Sequence, residues 1–401
     1  MKKNIILLSI VHFSNYLFPL LVLPYQIRVL SVESYATLAQ VQAIILTLSL
    51  LINFGFNLTS TKKIACSNDS YHINKIYTET ILAKVILLFF TYVILFIMIM
   101  APQYSHLKEP LLYGSISFFG YVFYASWLYQ GLEKLKGVVI ATTIAKSLSI
   151  MLTFIFVRDN DDIIAAVITQ NLGVFISGLI SIAYVHKFKL AKIIFVSLND
   201  VLSLIKESFP LFLSFSATSI YTYLNVIFLS FFCSSTDVAN FAAADKLRMA
   251  LQGVLIPISQ AVFPKVNKCN DAYKEETIKK YGFRFLILSI TISIVILIFG
   301  KSILSLYFGE KYSDAGIYFT LLFIMPVIIS ASIILSQWFL VTYGYQSYIS
   351  KIYMLTAIFH IGYALLLTYF YDVYGMILSI ILTESIIVVL MYKKVKSCIF
   401  S

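Results

Sequence analysis

Apolar stretches of about twenty residues follow one another along nearly the whole chain, joined by short polar connections, and this pattern leaves few folds open. A helix rises about 1.5 Å per residue, so roughly 20 mostly apolar residues cross the hydrocarbon layer of a bilayer. Twelve stretches qualify, near residues 4–27, 36–60, 78–100, 111–130, 137–157, 163–185, 208–232, 239–264, 281–300, 315–341, 352–371 and 373–392. Hydrophobic residues make up 60% and charged residues only 12%, against roughly a quarter charged in soluble domains. The expected fold is all-α: a polytopic membrane protein with twelve transmembrane helices in two six-helix lobes around a central cavity.

The net charge of +11 would suit nucleic acid if the cations were clustered, but they are spread through the short connections, and no nucleic-acid partner is expected. With strict alternation from a cytoplasmic N-terminus, 20 of the 30 Lys and Arg fall on the cytoplasmic side and 5 on the opposite side. The other 5 (Lys84, Lys146, Lys246, Arg248 and Arg284) lie inside spans. A cytoplasmic excess of cations is what orients membrane helices, and here it places both termini in the cytoplasm. The N-terminal MKKN and the apolar run after it look like a secretory signal. No small-residue cleavage site follows, and Pro19 and Pro24 interrupt the run, so it reads as an uncleaved first span.

The longest connection divides the chain into residues 1–190, a linker over 191–207, and residues 208–401. The linker, part of KFKLAKIIFVSLNDVLSLIKE, is basic and partly amphipathic, which predicts a helix on the cytoplasmic membrane surface. A short repeat supports two halves: Tyr35–Gln40 (YATLAQ) aligns with Phe241–Lys246 (FAAADK) at an offset of 206 residues. Parallel repeats of this kind place a binding cavity between the halves.

Catalytic signatures are missing. The five histidines are dispersed, the four cysteines lie far apart with no zinc spacing, and no Walker A loop, nucleophile elbow or Gly-rich dinucleotide turn appears. No enzyme activity, metal or cofactor is expected. Attention falls instead on charge inside spans, where each ionisable residue costs about 2.5–3.5 kcal/mol at a helix centre and marks function by default.

The stretch from Val238 to Val266 holds Asp245, Lys246 and Arg248. Asp245 and Arg248 are three residues apart, on one helical face, and can neutralise each other. Lys246 points about 100° away and is expected to face a watery cavity and meet an anionic ligand. Lys146, mid-span, is too deep to reach the interface; Lys84 either snorkels or faces the cavity. Glu384, deep in the last span, either pairs with a lysine of another helix or serves as a protonatable coupling group. Asn15, Asn57 and Gln252 are among the amides suited to a sugar-lined passage. Pro19, Pro24, Pro257 and Pro264 are hinge candidates, since each removes a helical hydrogen bond.

These residues resemble the O-antigen (Wzx-type) lipid-linked oligosaccharide flippases, a polysaccharide branch of the multidrug/oligosaccharidyl-lipid/polysaccharide exporter superfamily. The likeness runs through the Asn15–Pro24 stretch, Gly55-Phe56-Asn57-Leu58-Thr59 continuing to Ala65, Gln130-Gly131-Leu132-Glu133-Lys134, and Ala243-Ala244-Asp245-Lys246 with Gln252, Pro257–Ala261 and Phe263-Pro264. It implies alternating-access translocation of undecaprenyl-pyrophosphate-linked oligosaccharide repeat units across the bacterial cytoplasmic (inner) membrane, for O-antigen or capsule assembly. Lys246, Lys146, Lys84 and Lys62 would contact the substrate. Membrane lipid, and a polymerase and chain-length regulator of the same pathway, are the partners it suggests. The alternatives are a drug or metabolite exporter of the same superfamily, or a membrane glycosyltransferase or ligase.

Overall fold

The computed structural model describes residues 20–67, 69–267, 271–309 and 312–399, and helix is the only regular structure among them. The chain forms two compact units that meet between Ser219 and Ile220, within one long helix.

Unit 1 begins with α1 (Leu20–Val29) and α2 (Val32–Asn53). Ser31 caps α2 by accepting the Ser34 amide at 3.0 Å, which satisfies one of the orphan donors of the first turn. The stretch expected as one span over 36–60 falls within one candidate span, Val32–Ala65, whose helix is interrupted. Phe54 (φ 39°) and Gly55 (φ 76°) both adopt the left-handed conformation, and α3 (Phe56–Ala65) starts beyond them. Then come α4 (Ser70–Met100), a 3-10 turn (Pro102–Leu107), α5 (Lys108–Gly114), α6 (Ile116–Phe123), α7 (Ser126–Gly131), α8 (Lys136–Phe156) and α9 (Ile163–Lys187). Where α6 crosses α9, a Cβ on Gly178 would lie 2.7 Å from the Gly120 carbonyl oxygen, so the two backbones touch directly.

The linker differs from its expectation: residues 190–197 are not helical, and α10 (Leu198–Phe232) begins only after them. The reason lies on α4. The Lys192 amide donates to Asn74 Oδ1 at 2.8 Å and the Ile194 amide to Thr78 Oγ1 at 3.1 Å. Side chains of a neighbouring helix thus take the bonds that a surface helix would have made internally. α10 bends by 45° between its Leu198–Ser214 and Ser216–Phe232 portions, beyond Pro210.

Unit 2 holds the end of α10, then α11 (Ser235–Gly253), α12 (Leu255–Asn267), α13 (Asp271–Phe308), α14 (Ser313–Leu321), α15 (Met325–Ile333), a π-helical turn (Ile334–Leu340) and α16 (Gln346–Ile399). Ser234 caps α11 through the Asp237 amide at 3.2 Å, as Ser31 caps α2. α16 is a hairpin: Asp372 has φ 50° and ψ −135°, and side chains of His360 and Thr383, on opposite arms, meet at 2.7 Å. By length and composition, eight helices among the described residues can cross a membrane, or ten if each bent pair is one span. The last of them, α16, folds back at Asp372 into two apolar arms. The first expected span lies largely outside the described residues.

Candidate functional site

In unit 2 the sequence spacing is realised directly. Arg248 Nε donates to Asp245 Oδ1 at 2.6 Å and Nη2 lies 2.5 Å from the same oxygen, while Nη1 donates to Gln252 Oε1 at 2.9 Å. Asp245 is 4% exposed and Arg248 7%. A buried pair of this kind needs every donor engaged to offset desolvation, and the guanidinium fork reaches a partner about one turn away on either side. Gln252 commits its carbonyl to Arg248, leaving its buried Nε2 with no partner among the described residues. Lys246, on the neighbouring face of α11, is half-buried.

Glu384 is buried, but its hydrogen-bond partner is not a lysine. The Tyr221 hydroxyl donates to Oε1 at 2.9 Å, and Arg248 is close enough to act on it electrostatically. Beside this pair, fully buried His360 sits between Thr383 Oγ1 (2.7 Å) and Asn225 Oδ1 (2.9 Å), and the Tyr363 hydroxyl also meets Thr383. Three helical segments therefore pool their polar side chains in one place. Sequence reasoning set His360 aside as isolated, because its partners are 23 and 135 residues away.

In unit 1, Lys84 neither snorkels nor faces an open space. It is 1% exposed, and its Nζ donates to the Tyr121 carbonyl at 2.9 Å. That carbonyl is left over by a helix break: Tyr124 and Ala125 leave the helical path between α6 and α7. The freed Ala125 amide donates to Ser181 Oγ at 3.0 Å, and the Tyr124 hydroxyl meets Thr142 at 2.8 Å. The break is stitched from α4, α8 and α9 at once. No Gly or Pro occupies residues 121–125, so nothing local signalled it.

Lys146 is half-buried on α8. On α3, Lys62 is exposed, whereas its neighbour Lys63 is paired with Glu207 at 2.7 Å. Asn57, also exposed, accepts from Ser126 Oγ at 3.3 Å. Asn15 and Pro19 lie outside the described residues. Pro24 lies within α1, Pro257 in the first turn of α12 just after the break at Val254, and Pro264 near the end of α12. A proline in a first turn costs little, since that amide is unbonded anyway. Among the described residues no group of three or more His, Cys, Asp or Glu is placed to hold a metal ion.

A family model described as "Polysaccharide biosynthesis protein" matches residues 1–270. A curated relative from Shigella dysenteriae, provisionally named an O-antigen transporter, is 48% identical over 99% of this chain and 100% of its own. Another from Escherichia coli (strain K12), provisionally named likewise, is 31% identical over 99% of this chain and 97% of its own. Both are named as transporters rather than enzymes. Among solved structures, the inward-facing conformation of a MATE family multidrug resistance transporter of the MOP superfamily aligns with a TM-score of 0.80 at 15% identity, covering 98% of each chain. The lipid II flippase MurJ in its inward closed conformation gives a TM-score of 0.81 at 14% identity, covering 98% of this chain and 87% of the other.

Proposed function

Since the chain belongs to the polysaccharide biosynthesis protein family, and is a multi-pass membrane protein with relatives named as transporters, we propose that it moves undecaprenyl-pyrophosphate-linked oligosaccharide repeat units from the cytoplasmic to the outer leaflet of the bacterial inner membrane by alternating access. The observation that carries this reading is full-length 48% identity to a relative named for O-antigen transport. Intramembrane cations add support. A pyrophosphate cannot enter hydrocarbon bare, and Lys246 and Lys146, half-buried within spans, are the groups we assign to replace its hydration, with exposed Lys62 meeting it first. Glu384, sharing a buried neighbourhood with Arg248, is the proposed coupling carboxylate. The lipid tail stays in the bilayer throughout.

Surface glycan in cells carrying single variants tests this. Lys246→Ala and Lys146→Ala are expected to lower glycan display at least tenfold with normal protein amounts, and Lys246→Arg to retain more display than Lys246→Ala. Wild-type display in both alanine variants would refute their roles. Efflux of a fluorescent cation with no effect on glycan would point to an exporter, and sugar transfer by the purified protein in liposomes to a transferase.

A further inference from the structure

The segment between α9 and the bend of α10 is built onto the broken second span. Residues 190–197 are held on α4 through Asn74 and Thr78. Beyond them, Val201 and Leu204 of α10 are buried against Phe54, Phe56, Ala83 and Leu87, two of which flank Gly55 at the break between α2 and α3. The ring of Phe212 stacks on Phe54 with centroids 4.4 Å apart. At Gly55 itself a Cβ would lie 3.0 Å from the Phe212 amide nitrogen and 3.2 Å from the Ser208 carbonyl. Only a glycine gives both the left-handed turn and that close approach.

Two ion pairs complete the attachment. Lys63 of α3 meets Glu207 at 2.7 Å, and Lys75 of α4 meets Asp200 at 3.2 Å. The two kinds of contact have different strengths. Burying each aliphatic side chain removes apolar surface from water and is the larger contribution. The ion pairs are a third to a half exposed, and solvent screening makes such pairs weak. Packing therefore keeps the segment docked, and the pairs set its angle.

We propose that residues 190–214 form a strap that positions the half-helix α3, so that any change in the bend of α10 is passed to α3 and to the two exposed polar residues it carries, Lys62 and Asn57. Lys63 and Glu207 are positioning residues: Glu207 holds Lys63 and leaves Lys62, about 100° around the helix, open to an anionic headgroup. The role of Lys62 rests on the function proposed above; the strap itself does not.

Cys66, exposed at the C-terminal end of α3, is a built-in reporter. In a chain with Cys233, Cys269 and Cys398 changed to Ser, the labelling rate of Cys66 by a membrane-impermeant maleimide is measured in inverted membrane vesicles, and surface glycan in cells. Lys63→Glu and Glu207→Lys are each expected to change the labelling rate at least threefold and to reduce glycan. The double reversal, which restores an ion pair, is expected to return both to within twofold of the parent. Unchanged labelling in both single reversals, or a double variant no nearer the parent, would overturn the strap. Should a reversal not accumulate, Lys63→Gln and Glu207→Gln replace the single reversals, and unchanged labelling in both would overturn the strap. Altered labelling with normal glycan leaves the strap standing and removes Lys62 from substrate binding.

Discussion

Units 1 and 2 each bury a cation inside the membrane and satisfy it by opposite means. Lys84 of unit 1 gives its ammonium to the Tyr121 carbonyl, freed where α6 stops. Arg248 of unit 2 instead carries its own counter-charge one turn away on an unbroken helix, and adds the Gln252 amide. One unit uses backbone irregularity, the other a second charge. Burial alone is therefore no sign of a ligand site, because the most buried of the described lysines in unit 1 closes a helix end.

The largest effect that would test this contrast is Arg248→Ala. It strands Asp245 at 4% exposure, and breaking a buried pair from one side costs about 3–5 kcal/mol. Thermal unfolding of the detergent-purified protein should show it, with Asp245→Asn/Arg248→Met recovering much of the loss. Lys84→Met should cost less, about 1.5–3 kcal/mol, since one charge-assisted hydrogen bond is lost and no opposite charge is left behind. A loss equal to that of Arg248→Ala would break the comparison. Next, Ser31→Ala and Ser234→Ala remove equivalent caps, and each should cost about 1 kcal/mol; clearly unequal losses would mean the two helix starts are not equivalent. The smallest effect is at Asp162, outside the spans. The Arg158 and Asp159 amides, at 2.8 and 2.9 Å, hold its carboxyl below the usual range. Its contribution is then fully present above the unfolded carboxylate pKa of about 3.9 and is lost as pH falls through the lower folded value. Asp162→Ala should differ from the parent in melting temperature at pH 7 and converge with it in strong acid.

What the sequence made legible was local. Apolar stretches gave the helical membrane fold, and the Asp245–Arg248 spacing gave their ion pair, because both depend on neighbours within a turn or two. The first part of the linker, residues 191–197, went the other way: its helical periodicity was overridden by Asn74 and Thr78, more than a hundred residues earlier, while 198–207 are helical. The break at Tyr124–Ala125 was invisible for the same reason, since its carbonyl and amide are claimed by Lys84 and Ser181. Glu384 is buried, but its partner Tyr221 lies 163 residues away, beyond the reach of local spacing. The caps do not keep the register of the repeat: Ser31 and Ser234 align the two helix starts at an offset three residues smaller than the matched letters require.

The hairpin at Asp372 bears on how the chain is made. Its returning arm supplies Thr383, to which both His360 and Tyr363 of the outgoing arm are bonded. A nascent chain halted at the tip would expose wet imidazole and phenol groups to oil. The two arms are thus expected to enter the bilayer as a pair, and a truncation there to be recognised as faulty by membrane proteases before any question of transport arises.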